Sequence, residues 1–106
     1  MVVNIALYTD MMNKSKCPEE LIEMYASHYE GEEFIKVRES TYIKSMIGSN
    51  NFANRDDMEI LVNGNDERII ISSRFDNLGK GASGAAIQCM NIALGLDEKT
   101  GLNLKE

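Results

Sequence analysis

The sequence predicts an α+β domain in which a mainly antiparallel β-sheet carries two helices packed on it. One observation is the order of the apolar patterns, which reads strand, helix, strand, two further strands and a final helix. A second is Asn63-Gly64 between two β-rich runs, a pair typical of a hairpin that joins antiparallel strands. A third is the length of 106 residues, which predicts a single domain over residues 1–106.

The first half of the chain contains two predicted strands and one helix. Residues 2–9 run apolar and β-rich, which indicates a strand. Pro18 stands where a helix favours proline, at its first position, and is followed by acidic residues and by apolar residues spaced along one face. We expect Gly31 to end this helix and residues 34–37 to form the second strand.

The second half begins with residues 45–57, whose glycine, serine and asparagine content indicates a loop or an irregular strand. Residues 58–62 and 68–75 follow as the two hairpin strands. Residues 82–94 are predicted to form the last helix, which opens with small residues and is capped by Gly95. Small side chains allow close packing, either against the sheet of this domain or against another domain. In the second case an apolar strip would stay exposed.

The junction before this last helix is dense in glycine, with an Asp76-Asn77 turn followed by Gly79-Lys80-Gly81. Glycines at such a position permit positive φ and a close approach of the backbone. The first N–H groups of a helix lie at its positive end, where they can contact a carboxamide or a phosphate. The alternative, an ordinary turn and a well-packed helix, is favoured by the spacing alone.

The sequence of residues 76–102 resembles the C-terminal end of N-acetyl-γ-glutamyl-phosphate reductase, an NADPH-dependent enzyme of arginine biosynthesis. The motifs shared in this order are Asp76-Asn77-Leu78, Lys80-Gly81-Ala82, Gly84, Gln88, Met90-Asn91 and residues 94–102. A weaker similarity extends upstream, to residues 48–51 and to the predicted helix and strand of residues 18–37. The chain departs from the family pattern at Gly79, Ala85 and Cys89, where a bulky apolar residue, glutamine and asparagine are frequent.

The resemblance implies a reaction in which a cysteine thiolate attacks an acyl phosphate and NADPH reduces the resulting thioester to a semialdehyde. It implies that Asn77 lies near the nicotinamide carboxamide and that the backbone of Gly81 and Ala82 lies against the cofactor. Lys80 would add positive charge near the phosphates, although a solvated lysine is the alternative. Ser49 and Asn50 would border the substrate pocket, unless that stretch is only a loop.

Other parts of such an enzyme have no counterpart in the sequence. No strand is followed by GxGxxG with an acidic residue about twenty positions later, so the fingerprint of a Rossmann domain is absent. Gly79, Gly81 and Gly84 do not substitute for it, because they open the last predicted helix and no second strand follows. A His-Pro-Gly-Cys segment, which carries the nucleophile of the family, is absent too. We therefore expect the C-terminal part of a two-domain reductase, with no catalytic residue of its own, inactive alone and partnered by an N-terminal nucleotide-binding domain and by a second copy. The alternative is a standalone module of the same fold that dimerises and serves in binding or scaffolding.

Composition excludes several classes of function. The net charge of −6 argues against nucleic acid, which is normally bound by a basic surface. No apolar run approaches the roughly 18 residues of a membrane-spanning helix. A secretory signal pattern is missing at the start, so we expect a cytoplasmic location.

The sequence contains two cysteines and one histidine that could carry chemistry. Cys17 and Cys89 do not form a disulfide framework, so both are expected to be reduced. Cys17 stands at a predicted helix start, where the dipole could lower its pKa and support a small redox protein, although an inert surface residue is favoured. Cys89 is expected in the core. His28, without a second histidine or a Cys-x-x-Cys pair, predicts no metal site.

Overall fold

A computed structural model describes residues 1–14, 17–38 and 47–104. The elements, in chain order, are β1 (Val2–Tyr8), a 3₁₀ turn (Thr9–Met11), α1 (Pro18–His28), β2 (Ile35–Arg38), β3 (Met58–Gly64), β4 (Arg68–Phe75), a π-helical turn (Gly79–Ser83) and α2 (Gly84–Ala93). The predicted α+β class is confirmed. The loop predicted at residues 45–57 is described from residue 47 onward, and its first two residues lie outside the described part of the chain.

The four strands form one sheet in the order β1-β4-β3-β2. β4 pairs antiparallel with both β1 and β3, whereas β2 pairs parallel with β3. Two of the three pairings are therefore antiparallel, and the prediction of a mainly antiparallel sheet is confirmed. The parallel edge strand was not predicted, because the alternation within a strand does not show the direction of its neighbour.

Gly64 and Asn65 stabilise the turn of the hairpin between β3 and β4. Gly64 has φ +133°, and a Cβ there would lie 2.2 Å from the carbonyl oxygen of Arg68. The side-chain oxygen of Asn65 accepts hydrogen bonds from the N–H groups of Glu67 and Arg68 at 2.9 and 3.0 Å. This local chemistry explains why an antiparallel hairpin could be predicted here.

Helix α1 packs on β2 and β3 through Leu21, which is 3% exposed. The core beneath it consists of buried isoleucine and valine residues from β3 and β4, namely Ile60, Val62, Ile69 and Ile71. On β1, Val3 and Ile5 stay half exposed. The helix ends at His28, before the expected Gly31, which adopts φ +81° in the following turn.

The opposite face of the sheet is polar and carries the loop of residues 47–57. Arg74 and Glu59 form a buried ion pair on this face, and the hydroxyl of Ser72 donates to Asn4 Oδ1 at 2.7 Å. Phe52 of the loop is buried, with the guanidinium of Arg74 5.1 Å from the centre of its ring. The loop is therefore anchored by contacts between charged, aromatic and polar groups.

Helix α2 packs mainly against the π-helical turn and against the segment that follows the helix. Its buried positions are Gly84 and Asn91, whereas Cys89 is exposed. The prediction that Cys89 lies in the core is wrong, because Cys89 points to the side of the helix opposite Gly84 and Asn91. In the described part of the chain, no helix is long and apolar enough to cross a membrane.

Candidate functional site

The candidate site is the bend between β4 and α2, residues 76–84, together with the loop of residues 47–57. The carboxylate of Asp76 accepts a hydrogen bond from the N–H of Asn54 at 3.1 Å, which joins the two segments. The amino group of Met1 donates to the carbonyl oxygens of Ser49 and Phe75 at 3.0 and 2.8 Å. The loop and the bend therefore meet at the same end of the sheet.

Two glycines of the bend are explained by packing inside the domain. A Cβ on Gly79 would lie 2.3 Å from the carbonyl oxygen of Arg55, and one on Gly84 would lie 2.4 Å from Asp56 Oδ1. The close backbone approach predicted for the bend is therefore present, but its partner is the preceding loop. The bend glycines do not adopt the positive φ that we considered, which occurs instead at Gly31, Gly64, Gly95 and Gly101.

The backbone of the bend forms a π-helical turn, a widened geometry that often marks functional positions. The N–H of Gly81 donates to the carbonyl oxygen of Asp76 at 3.0 Å, and the N–H of Ser83 donates to that of Leu78 at 3.0 Å. The N–H of Gly84 donates to the carbonyl oxygen of Gly79. These three N–H groups already have acceptors within the bend, so the helix start offers a ligand fewer donors than the sequence suggested.

Lys80 is half-buried and faces the interior of its own domain. Its Nζ donates to Gln88 Oε1 at 2.6 Å and lies 5.1 Å from the ring centre of Phe34. Gln88 in turn donates through Nε2 to Glu98 Oε2 at 3.1 Å. Lys80 thereby ties the bend to α2 and to the segment after it.

Asn91 holds the C-terminal segment against α2. Its Nδ2 donates to the carbonyl oxygens of Glu98 and Thr100 at 2.9 and 3.0 Å, and its own carbonyl accepts from the N–H of Leu96 at 2.8 Å. Lys80, Gln88 and Asn91 all belong to the motif that resembles the reductase family. In this structure their contacts are structural, which explains the need for these residue types at these positions.

Part of the bend remains open to solvent. Asn77, Gly81 and Ala82 are exposed. An apolar cavity of about 390 Å³ lies beside Gly81 and is lined mainly by Met1, Met58 and Phe75. Beyond the bend, one exposed side of α2 forms an apolar stripe of Ala86, Cys89, Met90 and Ala93. The bend therefore exposes the small residues Gly81 and Ala82, and the apolar stripe exposes small and apolar side chains.

Ser49 and Asn50 lie in an exposed turn at the end of the sheet that also carries the bend. The carbonyl of Asn50 accepts from the N–H of Ala53 at 3.1 Å, which helps to close the turn. The predicted cofactor and substrate positions are thus brought to the same end of the domain.

A cluster of charged side chains on the polar face was not predicted from the sequence. Glu59 and Arg74 lie on neighbouring strands, and Asp57 precedes β3. The sequence signal that could have indicated this cluster is the alternation of charged with apolar residues in β2, β3 and β4. The cluster consists of Lys36, Arg38, Arg55, Asp57, Glu59 and Arg74.

Cys17 does not have the lowered pKa that a helix start could provide. The N–H of Glu20 at the start of α1 acts to lower the pKa of the thiol, but desolvation and the carboxylates of Glu20 and Glu19 raise it. The net pKa lies above the ordinary value of a cysteine. This environment disfavours the thiolate, so it counts against the redox hypothesis.

No family model matches the chain. An N-acetyl-gamma-glutamyl-phosphate reductase of Clostridium novyi (strain NT) is 42% identical over 80% of this chain and 24% of its own length. The enzyme of that name from Trichormus variabilis is 35% identical over 96% of the chain and 34% of its own length. One from Caldicellulosiruptor saccharolyticus is 42% identical over 92% and 26%, respectively.

The chain thus spans about a quarter to a third of the length of these relatives, which is consistent with the C-terminal part that the motifs indicated. The matches extend over 80% to 96% of the chain. The resemblance of this chain to the N-acetyl-γ-glutamyl-phosphate reductases is therefore confirmed.

Proposed function

We propose that this chain is the C-terminal part of an NADPH-dependent N-acetyl-γ-glutamyl-phosphate reductase of arginine biosynthesis. Its bend would face the nicotinamide end of a cofactor that is held mainly by a nucleotide-binding domain elsewhere in the protein. The observation that carries this proposal is the exposure of Asn77, Gly81 and Ala82 in the bend and of the apolar stripe on α2. The names of the relatives support the reaction class.

The residues of the bend fit one end of the cofactor. The exposed amide of Asn77 offers both a donor and an acceptor, as recognition of a carboxamide requires. Gly81 and Ala82 present little side-chain bulk, so a planar ring can approach the backbone. NADPH, when bound, supplies the hydride.

The structure gives less support to a contact with the cofactor phosphates. Lys80 is engaged by Gln88 and Phe34, so in this arrangement its charge is directed to the interior of the domain. We therefore assign binding of the phosphates to the nucleotide-binding domain. Ser49 and Asn50, exposed at the same end of the sheet, remain our proposed border of the substrate pocket.

The apolar stripe is the proposed contact with the nucleotide-binding domain. Its three small side chains, Ala86, Cys89 and Ala93, let a partner helix or strand approach closely, while Met90 adds apolar area. On β1, Val3 and Ile5 supply a separate exposed patch that suits a second copy of the protein. We accordingly include a homodimer or higher assembly in the proposal.

A chimera tests this function directly. The region of the Clostridium novyi reductase that matches this chain is replaced by the chain, and NADPH-dependent reduction of the acyl phosphate is measured. We expect an active chimera in which Asn77→Ala raises the KM for NADPH at least fivefold, without a change in melting temperature. Asn13→Ala, an exposed amide outside both the bend and the loop of residues 47–57, is the matched control and should leave the KM unchanged.

Two results would contradict the proposal. An active chimera in which Asn77→Ala and Asn13→Ala have equal KM values would remove Asn77 from the cofactor site. A folded chimera that binds NADPH but shows no reduction would contradict the reductase assignment and favour the standalone binding module.

A further inference from the structure

The polar face of the sheet contains a cavity of about 370 Å³ between β2 and the loop of residues 47–57. Lys36 and Arg38 line it from β2, Glu59 from β3, Arg74 from β4, and Asn51, Phe52 and Arg55 from the loop. A cavity of this size falls in the range, roughly 300–1,000 Å³, of small-molecule sites. The apolar stripe of α2 and the bend do not contribute to it.

Charge in this cavity is arranged by depth. Glu59, which lines the cavity, is 2% exposed, and Asp57, which does not line it, is 0% exposed. Lys36 and Arg38 are 22% and 35% exposed, and Arg55 is 14% exposed. Four of the seven lining residues are therefore positively charged and one, the buried Glu59, is negatively charged, although the chain as a whole has a net charge of −6.

The carboxylates hold the positively charged groups in place. Asp57 pairs with Arg55 through two side-chain hydrogen bonds, at 2.8 and 2.5 Å, and with Lys36 at 3.5 Å. Glu59 pairs tightly with Arg74 at 2.7 Å and loosely with Arg38 at 3.8 Å. The buried carboxylates of Asp57 and Glu59 thus each hold two positively charged side chains, and they reduce the repulsion between these like charges.

The aromatic ring of Phe52 also positions two of these guanidinium groups. The guanidinium of Arg55 lies 3.9 Å from the ring centre of Phe52, and that of Arg74 lies 5.1 Å from it. Contact with an aromatic face stabilises a guanidinium and restricts its orientation. The cations of the cavity are consequently positioned by the fold before any ligand arrives, which reduces the cost of binding.

We propose that this cavity binds a small oxyanion, either a phosphate or a carboxylate group, at Lys36, Arg38 and Arg55. Guanidinium and ammonium groups donate charge-assisted hydrogen bonds to both kinds of group. The proposal does not depend on the reductase assignment, because it needs neither NADPH nor another domain.

The test is a titration of the complete 106-residue chain, followed by ¹H–¹⁵N NMR at constant ionic strength. Inorganic phosphate is one arm, acetate the second and chloride the reference. We expect saturable shifts at residues 36–38 and 51–55 with phosphate or with acetate. Saturation by phosphate alone identifies a phosphate site, and saturation by acetate alone identifies a carboxylate site.

Charge-matched variants distinguish the cavity from general attraction. Arg38→Gln and Lys36→Gln should each weaken binding at least fivefold. Arg68→Gln removes the same charge from an exposed arginine outside the cavity and should leave binding unchanged. The melting temperature of each variant reports whether it is folded. Shifts that do not saturate in either arm, or equal weakening by Arg38→Gln and Arg68→Gln in folded protein, would overturn the proposal.

Discussion

Arg74 of β4 and Glu59 of β3 are direct cross-strand partners, and both are buried on the polar face of the sheet. The guanidinium donates twice to Glu59 Oε2, from Nε at 3.1 Å and from Nη2 at 2.7 Å. It also donates from Nη1 to the carbonyl oxygen of Gly48 at 3.4 Å. One residue pair therefore joins the centre of the sheet to the start of the 47–57 loop.

Loss of one member of this pair should destabilise the domain strongly. Arg74→Met leaves the Glu59 carboxylate buried without its main partner, and we expect a loss of about 3–5 kcal/mol in unfolding free energy. The double variant Arg74→Met/Glu59→Leu should recover part of that loss. Urea denaturation measures both values. Arg68→Met, an exposed arginine on the same strand, is the control, and an equal loss in Arg68→Met and Arg74→Met would contradict this account.

Gly84→Ala should lower the stability of the domain, although alanine is the better helix former. The new methyl group would lie 2.4 Å from Asp56 Oδ1 and 2.7 Å from the carbonyl oxygen of Gly79. We expect a loss of about 1–3 kcal/mol, as for other overpacked sites. Gly81→Ala meets the Phe75 ring at 3.2 Å and should cost less. Thermal unfolding measures the stability of both variants relative to the unchanged protein. A Gly84→Ala variant more stable than the unchanged protein would show that the bend is packed less tightly than described.

Asn91→Leu should loosen the segment after α2. The substitution removes the donor to the carbonyl oxygens of Glu98 and Thr100, and a lost buried hydrogen-bond partner costs about 1–3 kcal/mol. Hydrogen exchange at residues 97–101 should accelerate. Cys89→Ser, an exposed neighbour on the same helix, should change neither exchange nor stability. Unchanged protection in Asn91→Leu would refute the proposed anchoring role.

Cys17 should react slowly at neutral pH. Its raised pKa keeps the thiol protonated, and only the thiolate is alkylated, so the rate should rise as the pH passes above the ordinary cysteine pKa. The measurement is the pH profile of alkylation in a Cys89→Ser background, compared with an unstructured cysteine peptide. Glu20→Gln should move the profile toward lower pH. Rapid labelling of Cys17 near pH 7 would instead support the redox hypothesis.

Local chemistry explains which parts of the fold could be predicted. Pro18 starts α1, and Asn63-Gly64 marks the hairpin, because each of these signals acts within a few residues of the chain. The parallel pairing of β2 with β3 and the π-helical turn depend on contacts between segments that are distant in sequence. The contact of Gly79 with Arg55 is one such case, and the glycine pattern alone could not name its partner.

The same limit applies to the candidate site. The resemblance to the N-acetyl-γ-glutamyl-phosphate reductases is confirmed. Only the structure shows that Lys80 binds Gln88 and that Asn91 binds the segment after α2. Small and apolar residues usually pack inside, which predicts Cys89 in the core, but α2 exposes it. The pairing of Arg74 with Glu59 cannot be predicted from either strand alone, because the pattern of one strand does not show its cross-strand partners.

The most direct test of the central claim is the accessibility of Cys89. Its alkylation rate is measured by mass spectrometry in the isolated chain and in the chimeric reductase, both carrying Cys17→Ser. If the apolar stripe lies against a nucleotide-binding domain, Cys89 should react at least tenfold more slowly in the folded chimera than in the isolated chain. Equal rates in the two folded proteins would show that no other domain covers this surface and would contradict the account.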